Sequence, residues 1–271
     1  AMYTEKKVPE GHEIHRFAER QTHAFGGKKV RVDSPNGGFP DARLLDGRKL
    51  REVVALGKHL GYRFGRDLTL HVHLGQFGDF WEGQQPMPEP KGALRFRMWT
   101  KTSWLELRGP TDCRIFSDEE WSALEARIGP DPLVDKTQPT ATFGVIQTKK
   151  TPIGVLLMDQ SIISGIGNIY RAELLYRARV CPDRPGKDVT TPELQGIWKD
   201  TVALMRDGME DRRMVTTRLK DRPHPRGKAL KEEVHYVYRR QGKPCRVCET
   251  EIESKPMAGR TVYWCPFCQK D

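Results

Sequence analysis

The sequence predicts an α+β protein: a strand-rich N-terminal half opened by one helix, a helical C-terminal half, and a small cysteine hairpin at the end. Three observations carry this. Short apolar runs divided by Gly, Pro, Asn and Asp fill the chain to about Glu106, the mark of antiparallel strands in a sandwich or a flattened barrel. Apolar residues at helical spacing dominate from Pro152 to Met209. Four of the six cysteines fall in the last 27 of 271 residues. That length is enough for two modest domains and a sizeable core.

Taken in order, Ile14, Phe17, Ala18, Ala24 and Phe25 recur at helical spacing between Glu10 and Phe25, and Gly26 and Gly27 stop the helix. Strands follow in "KKVRVDS", "KLREVVALGKHLGYRF", "DLTLHVHLGQFGDFW", "ALRFRMWT" and "SWLELRG". Ser117 and Glu120 form a capping box for a helix with Trp121, Leu124 and Ile128 on one face. The proline-bearing segment 131–139 reads as a linker. It separates a domain over 1–130, whose first eight residues are an extension, from a helical domain over 140–240 and a cysteine module over 241–271. Helices are expected in "PIGVLLMDQSII", "NIYRAELLYRARV" and "TPELQGIWKDTVALMRDGM", the last with Thr191 as N-cap and Pro192 at its first position.

Net charge is +10, and 206–231 alone carries nine Lys/Arg against four Asp/Glu. Nucleic acid is the first partner such a chain suggests, with a merely solvated basic surface as the alternative. There is no apolar run of about 18 residues and no secretory signal, so no membrane association and a cytoplasmic monomer are expected. Cys245, Cys248, Cys265 and Cys268 stand as C-x2-C, sixteen residues, C-x2-C. This is the spacing of a four-cysteine site for one structural zinc ion, each pair chelating from one turn. A disulfide pair is the alternative, but nothing else points to an oxidising compartment. In "SGIGN" two glycines allow a tight turn between helices and close approach of backbone amides to an anion, with Asn168 placed to cap the next helix or to donate to phosphate.

Read together, "PEG-x-E-I", "LGKHL", "HLG", "DQ-x-x-I-x-G-x-GN-x-Y-x-x-E-x-L" and "C-x2-C … GR … W-C-P-x-C-Q" resemble the Fpg/Nei family of DNA glycosylase/AP lyases. They occur in family order from Pro9 to Gln269, and "PEGHEIHR" is closer to the endonuclease VIII branch, its actinobacterial members above all. The resemblance implies an N-terminal β-sandwich bearing the catalytic helix, a helix-two-turns-helix with a zinc-finger hairpin, and a cleft for damaged DNA between the domains. It implies roles for Pro9 as Schiff-base nucleophile, Glu10 as general acid/base and Lys58 as a phosphate-holding, catalysis-assisting lysine. It places His73, Asn168 and Arg260 on phosphates around an everted nucleotide, and Gln76 and Phe77 in the vacated stack. Glu13 and Glu173 also match, and a helix-surface carboxylate and a structural ion pair account for them nearly as well.

Two departures qualify the match. A proline inside a chain has an amide nitrogen whose lone pair is delocalised, so Pro9 behind residues 1–8 is no nucleophile. Val8 stands where a GTG start would be read. The simplest expectation is that the native chain starts at position 8, loses its initiator residue and exposes Pro9, Ala1 to Lys7 being extraneous. The interval before the cysteine module lacks the Gly/Ser/Thr-rich lesion loop of the guanine-specific branch, and only Val215, Thr216 and Thr217 correspond to it. Oxidised pyrimidines are therefore the expected substrates. A binding protein of the same fold, holding damaged or single-stranded DNA without Schiff-base chemistry, is the alternative.

Overall fold

The first helix, α1 (Gly11–Phe25), starts at Glu10 and lays Ile14, Ala18 and Phe25 against the core. In the computed structural model residues 8–135 and 137–271 are described. The segment Ala1 to Lys7, expected to be extraneous, lies outside the described residues, as does Lys136 within the expected linker.

Ten strands follow: β1 (Lys28–Lys29), β2 (Arg31–Asp33), β3 (Lys49–Leu50), β4 (Glu52–Leu56), β5 (His59–Gly65), β6 (Leu68–His73), β7 (Asp79–Gln84), β8 (Phe96–Trp99), β9 (Ser103–Arg108) and β10 (Asp112–Phe116). A one-turn helix α2 (Ala42–Leu45) interrupts them, and α3 (Asp118–Arg127) follows. The strands build two four-stranded antiparallel sheets, β10-β6-β5-β4 and β2-β8-β9-β7, and β1 pairs only with β3. Leu60, Leu70 and Val72 from one sheet and Phe96, Met98, Leu105 and Leu107 from the other share a single core with Ile14 of α1. The arrangement is thus a sandwich and not a barrel. The last strand, β10, lies beyond the expected end of the strands near Glu106. Its alternation is short, but full pairing with β6 from Asp112 opposite His73 to Phe116 opposite Thr69 secures it.

Residues Ile128 to Asp271 form a second compact unit. Its helices are α4 (Thr140–Gln147), α5 (Ile153–Leu156), α6 (Asn168–Ala178) and α7 (Thr191–Asp211), and β11 (Glu253–Met257) pairs with β12 (Arg260–Trp264) as a hairpin. The long helix expected over "PIGVLLMDQSII" is reduced to the four residues of α5. Asp159 explains this: its carboxylate accepts from the Ser161 N–H (2.9 Å) and hydroxyl (2.6 Å), closing a local turn that competes with helix. The N-cap of α7 is Thr190, one residue earlier than expected. Its hydroxyl accepts from the Glu193 N–H while the Glu193 carboxylate accepts from the Thr190 N–H at 2.8 Å.

Two charged residues of α6 organise this unit. The guanidinium of Arg171, fully buried, donates to the carbonyl oxygens of Met257 (2.9 Å) in the hairpin and Gly154 (3.2 Å) in α5. Glu173, also fully buried, accepts from the backbone N–H groups of Tyr236 (2.5 Å), Val237 (2.9 Å) and Tyr238 (3.3 Å) and from the Thr216 hydroxyl. Glu173 is therefore an anchor for the chain entering the cysteine module. Replacing it with Ala strands several buried donors, each costing about 1–3 kcal/mol. The expected outcome in urea unfolding is a loss of about 3 kcal/mol or more from the C-terminal unit, and a loss below about 1 kcal/mol would contradict the anchoring role.

Candidate active site

The residues singled out in the sequence fall into two groups, one in each unit. In the N-terminal unit α1 runs antiparallel to β4. The Gly27 N–H donates to the Leu50 carbonyl (2.7 Å), and five residues earlier the Thr22 hydroxyl exchanges bonds with the Val53 backbone (3.0 and 2.9 Å). Back from Thr22 to Glu10 is about 18 Å of helix. Onward from Val53 to Lys58 is about 17 Å of strand. Pro9, Glu10 and Lys58 therefore arrive at the same end of the unit.

At that end Glu10 is the N-cap of α1 and is buried, and its N–H donates to the Glu13 carboxylate at 3.1 Å. Glu13 is thus accounted for as a carboxylate closing the start of the helix, where negative charge also favours the helix dipole. Lys58 occupies the turn between β4 and β5, after Gly57 at φ +59°. Its carbonyl oxygen lies 3.1 Å from Nδ1 of His73, which ends β6. Beyond His73 the chain turns through Gly75 and exposes Gln76 and Phe77, the latter 70% accessible. Phe77 is therefore not a core strand residue, the reading its neighbours would otherwise favour.

Sequence reasoning passed over the residues packed behind His73. Nδ1 of His59 is 2.9 Å from Nε2 of His71, and Nδ1 of His71 is 2.5 Å from Oδ2 of Asp112. The His59 ring stacks on His73 (centroids 4.6 Å apart), and His71 stacks on Phe116 (4.2 Å). Alternation in "HVH" gives no hint of it, because the partners come from β5 and β10. Burial pushes His59 down to about 3, helped by the neighbouring imidazoles, and also lowers His71 and His73.

In the C-terminal unit Gly167 is the N-cap of α6, so Asn168 does not cap it. The Asn168 amide instead donates to the Thr261 carbonyl (3.0 Å) and accepts from Arg171 (2.5 Å). This fastens the start of α6 to β12 beside Arg260, bringing Asn168 and Arg260 together. Gly165, at φ +96°, takes a backbone conformation that a side chain would strain, and the Gln160 amide brackets it, accepting from the Gly165 N–H (2.8 Å) and donating to the Ile166 carbonyl (2.9 Å). Arg260 follows Gly259 at the hairpin turn. Its Nε is buried and has no hydrogen-bond partner among the described residues.

The ligand atoms of Cys245, Cys248, Cys265 and Cys268 lie within 4.8 Å of one another, with Cys245 and Cys268 sulfurs 3.9 Å apart and Cys248 and Cys265 sulfurs 3.4 Å apart. Ligands at about 2.3 Å on a tetrahedral ion stand about 3.8 Å apart, so the set fits one metal ion. Backbone N–H groups of Val247 and Cys268 donate to sulfur, and the Tyr176 hydroxyl lies 3.2 Å from Cys245. Burial, with the neighbouring Cys248 and Cys245, pushes the Cys265 thiol up to about 12, so packing four thiolates here calls for a cation as counterpart. Thr216 and Thr217 are turned inward, Thr217 donating to the Glu233 carbonyl at 2.7 Å.

Endonuclease 8 1 of Mycobacterium tuberculosis is 42% identical to this chain over 277 aligned positions, covering 97% of this chain and all of that protein. The chain belongs to the Fpg/Nei family of DNA repair glycosylases. Formamidopyrimidine-DNA glycosylase of Thermus thermophilus is 30% identical over 239 positions, 85% of this chain and 86% of that one. The family description "Formamidopyrimidine-DNA glycosylase H2TH domain" matches residues 128–219. A crystal structure of the Lactococcus lactis Fpg with abasic-site DNA superposes with a TM-score of 0.78 at 19% identity, covering 97% of this chain and all of that one, and so shares the Fpg/Nei fold. Among the described residues no helix is long and apolar enough to cross a membrane.

The lowered values of the buried His71 and the half-buried His59 and His73 predict an acid sensitivity. Their folded values lie below the unfolded value of about 6.5, so the unfolded chain binds more protons in between. The stability they contribute is complete above that value and is lost as pH falls through it toward the folded values. Melting temperature should be level from pH 8 to 7 and decline toward pH 5, and a profile level throughout would count against neutral, buried imidazoles.

Proposed function

We propose that this chain, once Pro9 is freed of residues 1–8, is a bifunctional repair enzyme that removes oxidised bases, pyrimidines favoured, and cuts the abasic strand by β,δ-elimination. The observation that carries the reading is the convergence of Pro9, Glu10 and Lys58 at one end of the N-terminal unit. A secondary amine at Pro9 attacks C1′ of the damaged nucleotide, the C1′–base bond breaks, and opening of the C1′–O4′ bond with a proton to the ring oxygen leaves the iminium. Glu10, buried at the head of α1, is placed to give a proton to the ring oxygen and take it back. Lys58, beside His73, meets the phosphate. Gln76 and Phe77 fill the gap left by the everted nucleotide, and an exposed aromatic suits that role because it can restack on neighbouring bases. Asn168 and Arg260, fastened together through Thr261, bind backbone phosphates from the C-terminal unit, and damaged DNA is held chiefly through such contacts.

The pyrimidine preference is supported by Thr216 and Thr217. These remnants of the guanine-specific loop are committed to Glu173 and Glu233 and so are withdrawn from a ligand. The metal is zinc: a four-thiolate tetrahedral set with no open position suits a closed structural site. Metal analysis should give one zinc per chain, and Cys265→Ser should lower both that stoichiometry and duplex binding.

Schiff-base chemistry requires the Pro9 nitrogen to be an amine. Borohydride trapping on an abasic duplex, run on the full chain and on a chain starting at Pro9, tests it. Covalent adduct from the trimmed chain, at least about 100-fold above the full chain, is the expected outcome, from the loss of a nucleophile that contributes several kcal/mol. Binding without trapping by either chain would replace the enzyme with a damaged-DNA binding protein of the same fold. Trapping by the full chain would move the chemistry to another amine, Lys58 first.

A further inference from the structure

The donor and acceptor capacities of the histidine cluster determine its protonation pattern. The Asp112 carboxylate can only accept, so the 2.5 Å contact places the His71 proton on Nδ1 and leaves its Nε2 as an acceptor. The 2.9 Å contact to that Nε2 then places the His59 proton on Nδ1. The Lys58 carbonyl likewise can only accept, so the His73 proton is also on Nδ1. All three imidazoles are Nδ1–H tautomers, and Nε2 of both His59 and His73 is left as a lone pair. An imidazole in that form cannot donate to a phosphate oxygen through Nε2.

We propose that Asp112 and His71 are positioning residues that hold His59 as the neutral Nδ1–H tautomer while the Lys58 carbonyl holds His73 in the same form, so that His73 binds a DNA phosphate by taking up one proton from solvent at Nε2. The proposal rests on the reading that His73 meets the DNA backbone. The step forms one N–H bond, and its proton comes from the buffer. The charged groups around the cluster favour a neutral resting state. Lys58 on the turn and Arg127 of α3 oppose a proton on His73 and His59 respectively, and Arg114 of β10 opposes one on His71. Asp112 is the carboxylate acting for it, and Arg114, itself 3.7 Å from Glu120 of α3, shares Asp112 at 3.3 Å. Phe116 and Trp121 cover His71 from the remaining side. A phosphate arriving beside His73 adds the negative charge that reverses this balance.

Calorimetric titration of the full chain with a duplex carrying a tetrahydrofuran abasic analogue, in buffers of different ionisation enthalpy at pH 7.5, counts the protons. The wild-type chain should take up close to one more proton per complex than His73→Asn, which should bind several-fold more weakly and with a flatter pH profile. Asp112→Asn should move the pH midpoint of binding lower, because the charge favouring the added proton is gone. Imidazole ¹⁵N spectra of the unbound wild-type chain should show Nδ1–H tautomers at His59, His71 and His73. In Asp112→Asn the new amide can donate, and the signals of His71 and His59 should invert while that of His73 does not. Equal proton counts for wild type and His73→Asn, or Nε2–H tautomers in the wild type, would overturn the proposal. If His73→Asn leaves affinity unchanged, the placement of His73 on the backbone fails with it, whereas tight binding that weakens in His73→Asn without proton uptake removes only the proton linkage.

Discussion

One buried guanidinium holds the C-terminal unit to its task. Arg171 has no exposed surface, and three separate stretches of chain converge on it: α5 through Gly154, the hairpin through Met257, and its own helix through Asn168. Removing these partners from a buried charge is costly, because an uncompensated guanidinium in the interior costs several kcal/mol. The geometry of the hairpin relative to α6 is therefore fixed to within hydrogen-bond tolerance. Asn168 and Arg260 inherit that precision, since one donates to the residue that follows the other.

Glu173, two residues along the same helix, does the complementary work. A carboxylate with three backbone N–H donors holds Tyr236 to Tyr238. A few residues later the same chain supplies the first two cysteines. The stacked Tyr176 and Tyr236 rings and the Tyr176 contact to Cys245 continue that path from α6 into the cysteine cluster. Cysteine clustering and helix packing are thus one structural problem in this unit, and the cysteine residues belong to its main hydrophobic core and not to a detached appendage.

The N-terminal unit meets its need differently. Its rigid frame is a sandwich of two sheets, and its candidate site residues sit on what the frame leaves at one end: the head of α1, the Lys58 turn and the Gln76–Phe77 turn. Polar side chains there are supported by a second layer. Glu13 braces the start of α1 at Glu10, and the Asp112–His71–His59 chain lies behind His73 and next to Lys58. A lysine on a bare turn would be a mobile cation. On this turn the backbone is tied across to β6, which restricts where the ammonium can go.

What the sequence determined by itself is what depends on local spacing. The helical start after Pro9, the strand-rich half, the capping box at Ser117, the C-x2-C pairs and the family motifs all express short-range rules of periodicity, turn chemistry and chelation. Pro9, Glu10, Lys58, Asn168 and Arg260 stand out as candidates because they lie inside such motifs. What only the tertiary structure decided depends on partners far apart in the chain. The long helix expected after Pro152 gives way to turns once Asp159 and Gln160 bind locally, and β10 exists because β6 offers it an edge. Glu173 becomes an anchor only when Thr216 and residues 236–238 fold over it. His59, His71 and Asp112 form a chain only because three strands align them, and no spacing along one strand encodes which imidazole faces which carboxylate.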